Sequence, residues 1–237
     1  MSIQVIPNKL SKQLKKLDNQ VLDSEEALPH RSGLLWLLCG RKGSSKTSTM
    51  LNVLKTKAKD GGYKNYFSNI IIVSPTMLKD KKCDKLREAV EEDGNFYSDF
   101  NNKIMTEIME KLASYAQDYK SDESSLLILD DCLALLPTSK KENKFHEFIT
   151  QMRHYKCSCW IMLQFLKGAS TLVRANVDML SMWRSDSESE INSLIESFNV
   201  PRQIYEFATN EPYSFLHVTY TSGQPRYFKK FDLIQIC

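Results

Sequence analysis

The chain has 237 residues, and 42% of them are apolar, which is enough to bury the core of one α/β domain or of two small ones. Its net charge of +3, from 32 Lys and Arg against 29 Asp and Glu, is too small to indicate a nucleic-acid binder from bulk charge. The six cysteines and four histidines lack the spacing of a disulfide framework or a zinc site, so we expect reduced thiols that pack as small apolar side chains.

The first 31 residues differ from the rest because they are polar and mixed in charge. A short amphipathic pattern runs through them, with apolar residues at Leu10, Leu14, Leu17 and Val21. We expect residues 1–31 to form an arm or a helix outside the central sheet, and residues 32–237 to form one domain. No stretch reaches the ~18 apolar residues of a membrane span, so no span is expected.

An apolar run at residues 35–39 leads into a loop with two glycines that closes on Lys46 and Thr47. Residues 35–47 read Leu-Trp-Leu-Leu-Cys-Gly-Arg-Lys-Gly-Ser-Ser-Lys-Thr. Glycines let such a loop curl so that its N–H groups point inward at a phosphate, next to a helix N-terminus. Lys46, which we expect to face solvent when no nucleotide is bound, would reach the β- and γ-phosphates, and Thr47 would ligate Mg²⁺. The predicted nucleotide-binding residues are Gly40, Gly43, Ser44, Ser45, Lys46 and Thr47.

Ser45 departs from the phosphate-loop pattern G-x-x-x-x-G-K-[ST], which has glycine at this position. A serine keeps the backbone N–H but adds a Cβ where the backbone passes close to phosphate. The alternative interpretation of the segment is a Gly/Ser-rich turn between a strand and a helix, with an incidental lysine.

The next part of the chain predicts a helix, a strand and a helical pair. The expected bounds are residues 45–59 for the helix, 69–74 for the strand, and 80–93 and 96–119 for the pair. Basic clusters lie at residues 9–16, 55–64 and 79–87. Each is explained by a solvated helix face, or by a patch that repeats around the pore of a ring.

Residues 126–131 read Leu-Leu-Ile-Leu-Asp-Asp, four apolar residues followed by two carboxylates. A buried central strand delivers such acids to the carboxyl edge of a parallel sheet. The pattern predicts a Walker B motif in which Asp130 holds Mg²⁺ through water and Asp131 orients or deprotonates the attacking water. The alternative is a buried strand whose acids cap the next helix.

A third apolar strand at residues 159–164 ends on the polar Gln164. Gln164 would hydrogen-bond the γ-phosphate or the attacking water, or else cap the strand. A helix is predicted over residues 143–154, with apolar side chains on one face and Arg153 at its end. Arg153 would reach a neighbouring subunit's nucleotide, or compensate the C-terminal dipole of its own helix.

Beyond Gln164 the chain predicts mixed elements and an antiparallel end. We expect a short helix through residue 176, a strand over 177–183, a turn over 185–190, and a helix over 191–198 that Pro201 closes. Residues 213–220 and 226–231 flank Ser-Gly-Gln-Pro, which predicts a β-hairpin. The fold class is therefore α/β: a three-layer P-loop NTPase sandwich whose central sheet is mainly parallel, with an extra strand between the two nucleotide motifs and a C-terminal antiparallel hairpin.

These motifs together resemble the viral genome-packaging ATPases of the FtsK–HerA superfamily, in the short forms found in poxviruses, virophages and related large DNA viruses. The resemblance covers residues 33–230, and it rests on Gly-x-x-Gly-x-x-Lys-Thr at 40–47, Ile-Ile-Val-Ser-Pro-Thr at 71–76, Leu-Asp-Asp at 129–131, Arg-His at 153–154, Gln164, and Val-Arg-Ala-Asn at 173–176. It implies Walker A roles for Lys46 and Thr47, Walker B roles for Asp130 and Asp131, a sensor role for Gln164, and an arginine-finger role for Arg153.

The resemblance implies an ATP-driven translocase that packages double-stranded DNA into a capsid, with ATP and Mg²⁺ as cofactors. The implied partners are DNA bound without regard to sequence, further copies of the chain in a homo-oligomeric ring, and a capsid protein at the packaging vertex. The expected location is the host cytoplasm or a viral factory, or association with the virion, in each case a reducing compartment.

Two other functional classes stay open from the residues. A nucleoside or nucleotide kinase also needs a P-loop and a strand-end acid, but the segment after Gln164 offers only Arg174, Arg184 and an acidic turn in place of an arginine-rich lid. A P-loop interaction protein that does not hydrolyse nucleotide is suggested by Ser45. The intact pair of Asp130 and Asp131 argues against it.

Overall fold

The computed structural model describes residues 26–117, 124–132, 143–222 and 224–235. Its strands are β1 Leu35–Cys39, β2 Asn69–Val73, β3 Phe96–Tyr97, β4 Ser125–Asp130, β5 Cys157–Leu163, β6 Met179–Trp183, β7 Phe215–Thr219, β8 Arg226–Lys229 and β9 Asp232–Leu233. Its α-helices are α1 Lys46–Lys55, α2 Asp84–Glu92, α3 Asn102–Tyr115, α4 Lys144–Gln151, α5 Thr171–Ala175, α6 Glu188–Phe198 and α7 Arg202–Ala208. The amphipathic pattern expected within residues 1–25 lies outside the described residues.

The strands form one sheet in the order β3-β2-β4-β5-β1-β6-β7-β8-β9. The pairings from β3 to β6 are parallel, and those from β6 to β9 are antiparallel. β5 lies between β1, which leads into the phosphate loop, and β4, which carries the acid pair. The predicted fold class is confirmed, including the antiparallel hairpin of β7 and β8.

Alternating side chains of the central strands divide the core into two clusters, one on each face of the sheet. Leu35 and Leu37 face the cluster that contains α3, α4 and α6, whereas Trp36 and Leu38 face the cluster that contains α1 and α2. Because successive residues of a strand point to opposite faces, a strand buried on both faces is apolar throughout. The result is the expected three layers, helices on each side of one sheet.

The expected helix over residues 96–119 is wrong at its beginning, where the chain forms β3. The N–H groups of Ile72 and Ser74, along the outer edge of β2, donate to the carbonyls of Asn95 and Tyr97 at 2.9 Å. α3 begins only at Asn102, after the Asn101 side chain caps its first N–H groups. Pairing with the sheet satisfies backbone groups of β2 that a helix at this position would leave unmatched.

α7 has no counterpart among the predicted elements, because Pro201 predicts only the end of the preceding helix. α6 ends at Phe198, where Asn199 takes a left-handed conformation with φ +51°, and Pro201 is the N-cap of α7. Tyr205 of α7 is buried, and its hydroxyl accepts from Ser185 N–H at 2.7 Å and donates to Trp183 C=O at 3.1 Å. α7 therefore supports the end of β6.

The segment just before β1 contacts the core. Leu28 is buried, the Tyr63 hydroxyl donates to Pro29 C=O at 2.7 Å, and His217 Nε2 donates to Ala27 C=O at 2.7 Å. Burial lowers the pKa of His217 to about 4, so its ring is neutral at physiological pH. The domain boundary at residues 31 and 32 stays a prediction. No helix in the described part of the chain combines the length and apolarity that a membrane crossing needs.

Tyr205→Phe should lower the free energy of unfolding by about 1–2 kcal/mol, because it leaves the Ser185 N–H and the Trp183 C=O without their hydroxyl partner. Urea denaturation followed by circular dichroism measures this change. Tyr213→Phe is the matched control, since that side chain is 70% exposed, and it should leave the midpoint unchanged. Equal stability of the Tyr205→Phe variant and the parent would show that α7 does not support β6 through this hydroxyl.

Candidate nucleotide site

Most of the predicted site residues meet in one cleft of about 780 Å³ at the carboxyl edge of the parallel strands. The cleft is lined by most of the predicted residues, namely Gly43, Ser44, Ser45, Lys46, Thr47, Asp130, Asp131 and Gln164. Two predicted residues are not among them: Gly40 lies just behind the loop, and Arg153 lies elsewhere. Parallel order explains the convergence, because β1, β4 and β5 all end at the same edge.

The loop between β1 and α1 turns through two residues in the left-handed region. Gly43 and Ser45 both have φ +81°. The first is ordinary for glycine, but the second is uncommon for a residue with a Cβ. Gly40 is required for another reason, because a Cβ there would lie 2.9 Å from the Cβ of Trp183.

Lys46 is buried, which shows that the expectation of a solvent-facing lysine is wrong. Its ammonium group donates to the carbonyls of Gly40 and Arg41, the latter at 3.2 Å. Burial lowers the pKa of Lys46, and the charge of Asp131 opposes that shift. The side chain is therefore folded back on its own loop, where it lines the cleft.

Asp130 is a buried carboxylate held by two hydroxyl groups. Its Oδ2 accepts from Ser74 Oγ at 2.8 Å and from Thr76 Oγ1 at 3.3 Å. Burial raises the pKa of Asp130, and the Ser74 hydrogen bond offsets part of that rise. Neither Ser74 nor Thr76 is among the predicted site residues. The sequence could have indicated both, because they are polar residues that follow the apolar strand β2, which pairs with β4.

Asp131 turns away from Asp130 towards β5. It has φ +50°, its N–H donates to Met162 C=O at 3.1 Å, and its Oδ2 accepts from Gln164 Nε2 at 3.1 Å. The two neighbouring acids thus contact opposite neighbours, Asp130 the end of β2 and Asp131 the end of β5. This arrangement can hold a cation on one side and a water molecule on the other.

Arg153 lies at the opposite edge of the sheet from the cleft. It follows the C-terminus of α4, which ends at Gln151, and it precedes β5. The length of β5 separates it from Gln164 by about 20 Å, at roughly 3.3 Å per residue. Its side chain is 70% exposed, and its guanidinium lies 3.9 Å from Asp178 Oδ1. Arg153 therefore cannot act on a nucleotide bound in the cleft of its own chain.

Mg²⁺ fits the residues present. In the described part of the chain no group of three or more His, Cys, Asp and Glu side chains could hold a metal by themselves. Mg²⁺ does not need one, because it is usually held by one or two protein oxygens together with phosphate and water. Thr47 and Asp130 line the same cleft and supply oxygens of that kind.

The comparisons with known proteins find similarity in structure and not in sequence. No protein-family model and no curated protein sequence matches the chain. The structure is similar to B204, the DNA-packaging ATPase from Sulfolobus turreted icosahedral virus, with a TM-score of 0.59 and 17% identity over 86% of this chain and 100% of that one. The chain has the fold of a viral packaging ATPase.

Similar structures include a nucleotide-bound form of such an enzyme. The genome packaging NTPase B204 from Sulfolobus turreted icosahedral virus 2, in complex with AMPPCP, matches with a TM-score of 0.62 and 16% identity over 87% of this chain and 100% of that one. The same NTPase in complex with ATP-gammaS matches with a TM-score of 0.60 and 15% identity over the same shares. The resemblance indicated by the sequence motifs is thus confirmed at the level of the fold.

Asp130→Asn should stabilise the nucleotide-free protein. The pKa of Asp130 is raised above its ordinary value of 3.8, so its ionisation costs folding free energy as pH rises from that value through the raised one. The amide removes this cost and still accepts from Ser74. We expect a higher melting temperature than that of the parent at pH 8, with the difference shrinking towards pH 4. Thermal unfolding across this pH range measures it.

Asp131→Asn is the matched control, because Asp131 is only half-buried and asparagine tolerates its left-handed backbone. It should show no comparable stabilisation. A melting temperature for Asp130→Asn at or below that of the parent at pH 8 would contradict the assignment of Asp130 as a destabilising buried charge.

Proposed function

We propose that the protein is an ATPase that moves double-stranded DNA and packages a viral genome into a capsid. The observation that carries this proposal is the meeting of Lys46, Asp131 and Gln164 at one edge of the sheet, with Thr47 and Asp130 in the same cleft. The fold shared with viral packaging ATPases supports the coupling of that site to DNA. Fold likeness alone does not carry function, so the proposal depends first on the geometry of the site.

In the proposed binding step, Lys46 exchanges its carbonyl partners within the loop for phosphate. The N–H groups of the loop and of the first turn of α1 surround the phosphates, and Lys46 leaves the carbonyls of Gly40 and Arg41 to bind the β- and γ-phosphates. The phosphate charge favours the ammonium form of Lys46, against the burial that lowers its pKa. Thr47 and Asp130 would hold Mg²⁺, which neutralises charge on the phosphate oxygens during transfer.

Hydrolysis requires a water molecule aligned with the γ-phosphate. Asp131 has a carboxylate oxygen aimed at Gln164, and the space between the two side chains and Lys46 is part of the cleft. A carboxylate accepts a proton from water or orients it, and the Gln164 amide holds the carboxylate in place. We assign Asp131 as the general base or water-orienting group, and Gln164 as its partner and the sensor of the γ-phosphate.

Arg153 is assigned to the neighbouring subunit's site. Because Arg153 lies too far from the cleft of its own chain, a catalytic role for it would be in trans. Its exposed side chain makes only a long contact to Asp178 among the described carboxylates. An arginine placed against the transferring phosphoryl group raises hydrolysis by roughly 10³–10⁵ in other NTPases. This effect would make hydrolysis depend on ring assembly, which a translocating motor needs.

The DNA contact we propose is electrostatic and independent of sequence. Translocation along any genome requires grip on phosphates, and phosphate contacts carry no base information. The proposed partners are therefore duplex DNA, further copies of the chain in a ring, and a capsid protein at the packaging vertex. The proposed location is the host cytoplasm or a viral factory, or the virion.

The first experiment measures ATP turnover with Mg²⁺, alone and with long double-stranded DNA. The parent should hydrolyse ATP and be stimulated several-fold by DNA. Lys46→Ala should lose nucleotide binding, because alanine removes the ammonium group that would bind the β- and γ-phosphates. Asp131→Asn should bind Mg–ATP but hydrolyse it at least 100-fold more slowly, at the lower end of what a general base contributes.

Matched controls use exposed residues of the same types outside the cleft, Lys103→Ala on α3 and Asp232→Asn on β9. Both should retain turnover. Stimulation by a free nucleoside in place of DNA would favour a kinase. Nucleotide binding by the parent without turnover would favour an interaction protein.

The second experiment tests the trans role of Arg153 by mixing inactive variants. Arg153→Ala subunits keep an intact cleft, and Lys46→Ala subunits keep an intact Arg153, so some interfaces of a mixed ring join the two intact halves. Turnover should partly return on mixing. Lys46→Ala mixed with Asp131→Asn is the control, because every cleft in that ring carries one lesion, and it should stay inactive. No recovery in the first mixture, although mixed rings form, would place Arg153 in a structural role at the end of α4.

A further inference from the structure

Ser45 takes a backbone conformation that its residue type disfavours. At φ +81° and ψ 11° it lies in the left-handed region, where glycine is the usual residue. Such outliers persist only where the surrounding structure holds them. The feature that holds this one is therefore of functional interest.

The hydroxyl group of Ser45 accepts a hydrogen bond from Trp183 Nε1 at 3.2 Å. Serine just before a helix usually turns its hydroxyl to the N–H groups of the first turn. Ser45 is the N-cap of α1, yet its hydroxyl makes no such cap. The tryptophan thus draws the hydroxyl away from the N–H groups that face the cleft.

Trp183 is itself held firmly. It is 2% exposed at the end of β6, its ring packs on Phe215 at 4.4 Å between centroids, and its carbonyl accepts from Tyr205. Its Cβ also lies against Gly40, at the other end of the loop. One rigid side chain therefore contacts both ends of the loop.

We infer that Trp183 is a positioning residue for the phosphate loop, which it holds in its binding conformation through Ser45. It compensates for the absence of glycine in two ways: it stabilises the left-handed backbone, and it leaves the N–H groups of the first turn of α1 available to an anion. Without this bond, the loop would populate conformations that do not bind phosphate. The apparent affinity would then fall in proportion to the fraction of molecules whose loop still has the binding conformation. The inference rests on the proposed function in one respect, the identity of the anion as nucleotide phosphate.

The test is a double-mutant cycle of Trp183→Phe and Ser45→Gly in the full chain. Phenylalanine keeps an aromatic ring on Phe215, and it removes the Nε1 donor together with part of the indole's volume. The volume loss is the same in the Ser45→Gly background, so the cycle cancels it and isolates the hydrogen bond. Loss of one hydrogen bond should weaken Mg–ATP-gammaS binding roughly 5-fold, measured by calorimetry. Glycine adopts the left-handed conformation unaided, so Ser45→Gly alone should bind no worse than the parent. Trp183→Phe added to Ser45→Gly should then change affinity by less than about 2-fold, since the shared partner is already gone.

Trp36→Phe is the matched control, because Trp36 Nε1 donates to Ser181 Oγ at 3.0 Å in the core and not to the loop. It should lower thermal stability without weakening nucleotide binding. An equal loss of affinity from Trp183→Phe in the parent and in the Ser45→Gly variant would overturn the inference, since Trp183 would then act through packing alone. No loss of affinity from Trp183→Phe in the parent would overturn it as well.

Amide hydrogen exchange without nucleotide separates this inference from the proposed function. Trp183→Phe should speed exchange at residues 40–47, and it should not do so in the Ser45→Gly variant. Unchanged exchange in Trp183→Phe overturns the inference, whatever the protein binds. Changed exchange in a protein whose parent binds no nucleotide supports the inference and instead overturns the proposed function.

Discussion

The site depends on the parallel pairing of β4 with β2 on one side and β5 on the other. Asp130 lies opposite Met162 of β5, and Val73 of β2 lies opposite Leu129. This register places the hydroxyls after β2 within hydrogen-bond distance of Asp130 at the end of β4, and the Gln164 amide after β5 within hydrogen-bond distance of Asp131. A slip of one residue would turn each strand's side chains to the other face, so the same register builds the core and the site.

The cleft keeps charged groups buried by giving them internal partners. Lys46 is bound by loop carbonyls, and Asp130 is bound by the hydroxyls of Ser74 and Thr76. Burial still shifts the pKa of each group towards its neutral form. Phosphate and a divalent cation are the partners that would relieve both groups at once. The cost of burying them is thus consistent with selection for binding and not for stability.

The sheet separates the cleft from Arg153, and the proposed mechanism brings these two together only between subunits. The cleft lies at the carboxyl edge, and Arg153 lies with Asp178 at the amino edge, about 20 Å away along β5. A single chain therefore holds one complete cleft and one arginine that cannot reach it. In the proposed ring, each interface would bring the cleft of one chain together with Arg153 of its neighbour. Because the length of β5 keeps them apart within one chain, hydrolysis would then require assembly.

The sequence by itself determined the strand and the turn that form each predicted motif, and it pointed to most of the predicted residues that line the cleft. Local patterns were enough for this, because a loop such as 40–47 and the run from Leu126 to Asp131 carry both their structure and their chemistry within a few residues. The partners from distant segments were decided only by the tertiary structure: β3 on the open edge of β2, the hydroxyls of Ser74 and Thr76 on Asp130, and Trp183 on Ser45. These contacts join residues as far as 138 positions apart, as for Trp183 and Ser45. Such contacts depend on which strands become neighbours, and a periodic pattern in one segment holds no information about its neighbour in the sheet.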